Sequence, residues 1–211
     1  MAGRSTPLTT ARGRGRPRDP QTDAAILRAA LELFIERGVE GTSIEQIAKR
    51  AGVGKLTVYR RWSGKEELIA QAVEQTVPAD LVPSPEDVET MTPHEIIERI
   101  LPAAAETTAS PEFRALTARM MGSAVSHPSL MAAYWKHHIL PRRDLAMAML
   151  RHAQQNGTVS PDADPDVLID MMAGAVTWRV LQPDPPDAAE MLRYIKAVYH
   201  QIGLYHPTKA P

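Results

Sequence analysis

Apolar residues along this chain recur at the three- and four-residue spacing of helices, and no segment alternates as a strand would. The first stripe, Leu27, Leu31, Phe34 and Ile35, follows the cap-and-proline pair Asp19-Pro20 and ends at Gly38, which predicts a helix from about 19 to Arg37. A second short stripe is Ile44, Ile47 and Ala48. Thr42–Glu45 and Ser43–Gln46 both have capping-box spacing in front of it. Ala51-Gly52-Val53 ends that helix, because Gly52 can take the left-handed backbone of a sharp turn. A further helix is expected from about Gly54 to Arg61, with Val58 and Trp62 turned inward at i, i+4. That spacing leaves Leu56, Thr57, Tyr59 and Arg60 outward, flanked by Lys55 and Arg61. Ser63–Glu66 has capping-box spacing again, and it predicts a fourth helix over about 64–77.

The rest of the chain repeats the helical pattern, with proline at the starts. Residues 78–91 are rich in proline and acid and read as a loop, either a flexible boundary or a cover over part of the larger C-terminal domain. Thr92-Pro93, Ser110-Pro111, His127-Pro128, Asp164-Pro165 and Pro186 open the later helices. The segment from His127 to about Asn156 carries Pro141 inside it and should kink or break there. The expected fold is all-α: an N-terminal three-helix domain over 19–65, then a larger helical domain over 66–211. In the last two helices Leu168, Met171, Met172, Ala175 and Val176 share a side, as do Met191, Leu192, Ile195, Val198, Tyr199 and Ile202. Two such helices from each of two subunits would make a four-helix bundle, the expected homodimer interface. The alternative is that these stripes pack within one subunit.

A face of hydroxyls, cations and one apolar side chain suits a major groove. Phosphates need donors, base edges need forked donors, and thymine methyls need apolar contact. The run TSIEQIAKRAGVGKLTVYRRWSGKEEL, Thr42 to Leu68, resembles the helix-turn-helix of the TetR family of transcriptional regulators. The resemblance implies that Lys55, Leu56, Thr57, Tyr59, Arg60 and Arg61 fall on DNA-contacting positions. It places Thr42, with Ser43 beside it, and Lys65 on phosphate-contacting ones. Gly54 stands where serine is common and Leu56 where glycine or proline is common, departures that bear on the operator sequence. A dimerising, ligand-binding body is implied in the same way, with Phe113, Met120, Met121, Trp135, Met147 and Trp178 as candidate pocket liners. Ordinary core is the competing account of each.

Charge sharpens this picture. Lys and Arg outnumber Asp and Glu 13 to 8 over residues 1–70 and are outnumbered 11 to 17 beyond. A basic head and an acidic body would orient the molecule on a polyanion. Residues 1–18 lack apolar periodicity and are expected to form a disordered basic arm. Within them Arg14, Arg16 and Arg18 alternate with Gly and Pro and resemble an AT-hook core suited to a narrow A·T-rich minor groove. A solubilising tail is the alternative. There is no cysteine, and no apolar run of membrane-spanning length, so a cytoplasmic protein without membrane contact is expected. His137-His138 are adjacent and diverge by about 100° on a helix, a poor metal pair. No phosphate-cradling glycine loop, nucleophile elbow or zinc motif is present, so neither cofactor, metal nor catalysis is expected.

The resulting reading is a homodimeric, ligand-responsive repressor that binds a palindromic double-stranded operator and an unidentified small-molecule effector. Two rivals stand beside it: a DNA-binding regulator controlled by abundance or a protein partner, and a helical enzyme or metalloprotein.

Overall fold

The computed structural model describes residues 19–76 and 81–205. All regular structure among them is helical. In the head, α1 spans Pro20–Arg37, α2 Ile44–Arg50, α3 Lys55–Tyr59 and α4 Lys65–Glu74. The Asp19 carboxylate accepts from the Gln21 N–H, and Gly38 closes α1 at φ +71°, where a side chain would be strained. Of the two capping boxes possible before α2, only Ser43–Gln46 forms. The box expected at Ser63–Glu66 does not form: α4 starts one residue later, with Gly64 as its cap.

In the body, α5 spans Pro85–Thr90, α6 Pro93–Ala109, α7 Pro111–Ser123, α8 Pro128–Tyr134, α9 Leu140–Gln155, α10 Pro165–Val180 and α11 Ala188–Gln201. The stretch expected to be a loop contains α5, because Ser84 and Asp87 cap it reciprocally. The last helix opens at an Asp187–Glu190 box rather than at Pro186. Pro141 neither breaks the long helix nor stands alone. A π-helical turn, Trp135–Ile139, precedes it and joins α8 to α9, inserting extra backbone just where proline removes a donor.

Three buried clusters hold these elements. Ile26, Leu33, Ile47, Val58, Trp62 and Leu68 form the core of the head. Ile97, Leu101, Leu150, Met191 and Ile195 are among those filling the body. Phe34, Val39, Ile69, Ala70, Val73, Leu116, Met120 and Leu130 join the two. Helix α4 thus contributes Leu68 to the head and Ile69 and Val73 to the junction, so packing continues across the boundary expected at residue 65. Arg119 on α7 reaches the same junction, donating to the Ile35 and Glu36 carbonyls at the end of α1 (3.0 and 3.1 Å).

Candidate nucleic-acid interface

The turn between α2 and α3 depends on Gly52 at φ +70°, with the Val53 N–H bonded to the Ala48 carbonyl at 2.9 Å. Val58 (0 % exposed) and Trp62 (6 %) anchor α3 and the residues after it in the head core. The Trp62 indole donates to Gln71 on α4. Pinning this face leaves the other outward: Leu56 is 71 % exposed and Tyr59 48 %, with Arg60 also exposed. Leu56 thus stands in solvent, outside the core of the head.

The flanking residues divide. Lys55 is exposed, lies 5.5 Å over the Tyr59 ring and pairs with Glu45 on α2. The Glu45 carboxylate raises the Lys55 ammonium above its usual range. Arg61 does not join the outward face. It pairs with Asp23 on α1 and donates to the Thr57 carbonyl (3.0 Å), tying α3 to α1. Thr57 is half-buried. Thr42 departs furthest from expectation. It is 1 % exposed, and its only hydroxyl proton goes to the Gly38 carbonyl at 2.7 Å, leaving none for a phosphate. Ser43, half-buried, caps α2 instead. Lys65 stands in the first turn of α4 and spends one of its protons on the Val39 carbonyl at 2.8 Å, which leaves two for an anion. Arg14, Arg16 and Arg18 lie outside the described residues.

The body places few of the expected residues where the pattern put them. Met120 is 2 % exposed and belongs to the head–body junction, not to a pocket. Met121, Trp135 and Trp178 are surface residues at 45, 45 and 72 % exposure. Trp135 edges an open groove between α8 and the π-helical turn. Phe113 does line a cavity, and Met147 is half-buried against the body core. The cavity walls that sequence reasoning missed include Ile96 and Ile100 of α6, Leu145 and Met149 of α9, and Arg142.

Among the expected dimer residues, Met172 of α10 is in the subunit's own core, and so are Met191, Ile195 and Ile202, because α11 turns its apolar stripe onto α6. Tyr199 lines a cavity, and Leu168, Val176 and Val198 pack against the body core. Ala175 is half-buried. The stripe left open on α10 is Val167, Met171, Gly174 and Trp178, at i, i+4, i+7 and i+11.

The two adjacent histidines both bond carboxylates of α4. His137 bonds to Glu67 at 2.7 Å and His138 to Glu74 at 3.0 Å, both on α4. Burial, with Arg142 beside it, pulls the His138 imidazole down to about 4 despite the Glu74 carboxylate. Among the described residues no cluster of three or more potential metal ligands occurs, and no helix is long and apolar enough to cross a membrane.

A buried anchor, a presented α3 and a helical body define a helix-turn-helix regulator. Residues 26–72 match the family model of bacterial regulatory proteins of the tetR family, and residues 90–198 the tetracyclin repressor-like C-terminal domain. The chain is 31 % identical over 175 residues to the HTH-type transcriptional regulator YdeS of Bacillus subtilis, covering 80 % of this chain and 82 % of that one. It is 30 % identical over 144 residues to UidR of Escherichia coli, at 67 % and 70 % coverage. The TetR-family regulator SCO0332 superposes with a TM-score of 0.57 at 32 % identity, covering 89 % of this chain and 100 % of that one. A family member from Mesorhizobium loti gives 0.66 at 20 % identity, with 88 % and 97 % covered. The chain belongs to the TetR family: it is a DNA-binding transcriptional regulator, not an enzyme.

Proposed function

We propose that the protein is a homodimeric repressor whose two α3 helices enter successive major grooves of a palindromic operator, and whose body releases them when a small molecule binds. The observation that carries this reading is the exposure of Leu56, Tyr59 and Arg60 on a helix locked from behind by Val58 and Trp62. Leu56 offers apolar contact to a thymine methyl, Tyr59 and Lys55 donate to phosphate, and Arg60 is a forked donor for a base edge or backbone. Lys65 adds a donor in the first turn of α4, where the N–H groups favour an anion.

Pairing rests on the open stripe of α10. Val167, Met171 and Trp178 are more than half exposed, and a Cβ built on Gly174 between them meets nothing within 4 Å, which suits close approach of a partner helix. Ligand response rests on cavities in the body and on α4, which runs from the head core to residues packed on α8 and the π-helical turn. Selecting duplexes from a random library and footprinting the winner tests the reading. A two-fold symmetric site with half-site centres ~34–36 Å apart is expected. An asymmetric single half-site bound by a monomer would refute it.

A further inference from the structure

Two cavities of about 180 and 350 Å³ open into the body on either side of a shared wall, Arg142, Ala146, Met172 and Tyr199. The smaller is otherwise apolar, walled by α6, α9 and the segment at Leu81–Pro83. No carboxylate lines either cavity among the described residues. The larger also touches Arg143, but that guanidinium is bonded to Asp166 and Asp170 of α10. Arg142 is therefore the cation of the shared wall. Both its terminal nitrogens bond the Glu74 carboxylate, at 2.8 and 3.0 Å, and one also bonds the His138 carbonyl at 2.7 Å.

Glu74 is the last residue of α4, the helix that carries the head. Arg142 lines an apolar cavity while its guanidinium clamps the end of α4, so a carboxylate in that cavity would compete with Glu74 for it. Resting on the ligand-responsive reading above, we propose that the cavity binds a small amphiphilic carboxylate, its chain against Ile100, Leu145 and Met149 and its head on Arg142 in place of Glu74. Glu74 and the ligand compete for one partner. The ligand thus binds better to the state in which α4 is unclamped, which is the differential affinity that any effector needs. The alcohol of the same chain is uncharged and the amine, protonated at neutral pH, carries the wrong sign to compete.

Calorimetric titration with octanoate, 1-octanol and octylamine tests this on the full chain, with Arg142→Gln and Glu74→Gln checked for folding by circular dichroism. Octanoate is expected to bind wild type about tenfold more tightly than octanol, the scale of one charged hydrogen-bonded contact. Arg142→Gln should erase that preference, and Glu74→Gln, by removing the competitor, should tighten octanoate. Equal binding of octanoate and octanol, tighter octylamine, no octanoate binding, or a preference that survives Arg142→Gln overturns the proposal. If Arg142→Gln does not fold, octanoate affinity unchanged in Glu74→Gln overturns it alone. Duplex binding is measured in parallel on the selected site. Binding that ignores octanoate sinks the carboxylate proposal and leaves the repressor reading intact, whereas absence of duplex binding without any ligand sinks the repressor reading itself.

Discussion

At the scale of single residues, α3 separates an anchored side from an exposed one. Val58 and Trp62 are buried while Leu56 and Tyr59, on the same helical turn and a half, stand in solvent. Tyr59→Ala should therefore weaken duplex binding by about 1–3 kcal/mol while leaving the thermal midpoint unchanged. A large fall in the midpoint would mean that Tyr59 supports the fold rather than the contact. His138 makes a second residue-scale prediction. Its folded-state value near 4 lies below the ordinary 6.5, so the unfolded chain binds more protons between those values. The stability it contributes is complete above about pH 6.5 and is lost as pH falls toward 4, in all about 3 kcal/mol. Urea unfolding at pH 7 and pH 5 checks this. The loss should shrink in His138→Gln, and an equal loss in that variant would assign the acid sensitivity to the carboxylates instead. The anchoring pair was legible from i, i+4 spacing alone. The fates of Thr42 and Arg61 were not, because whether a polar side chain points out or back depends on partners, Gly38 and Asp23, that only the folded head supplies.

At the scale of elements, several boundaries marked by caps and prolines were readable, since the Ser43–Gln46 box forms and helices start at Pro93, Pro111, Pro128 and Pro165, whereas the Ser63–Glu66 box does not form and the last helix opens at Asp187 rather than Pro186. What neighbouring elements bury was not. Met120 has the same composition signal as a flexible pocket liner, yet it fills the junction where α1, α4, α7 and α8 meet. Met120→Ala should accordingly cost about 2–5 kcal/mol of folding stability, measured by chemical denaturation. A neutral effect would return Met120 to the surface of a pocket. The apolar stripe of α11 was read outward although it faces α6, because periodicity reveals that a stripe exists and not which neighbour takes it. The π-helical turn before Pro141 had no signal beyond the proline itself. Its consequence is local and specific: it brings His137 and His138 onto α4, where Glu67 and Glu74 receive them.

At the scale of the whole molecule, a basic N-terminal third meets an acidic remainder through α4, which packs both in the head core and in the head–body junction. In the proposed dimer two heads are held at a fixed separation, and the exposed stripe of α10 is the surface proposed to hold them. Trp178→Glu should yield a monomer by sedimentation and lose cooperative operator binding. A dimer of unchanged strength would move the interface elsewhere. The most direct test of the account is the salt dependence of duplex binding, by fluorescence anisotropy, for wild type and Lys65→Ala. Wild type should bind the selected duplex with affinity that falls steeply as salt rises, and Lys65→Ala should bind more weakly with a slope shallower by about one. Wild-type protein that binds no duplex at low ionic strength, or binds it without salt dependence, would contradict the assignment of this face to DNA.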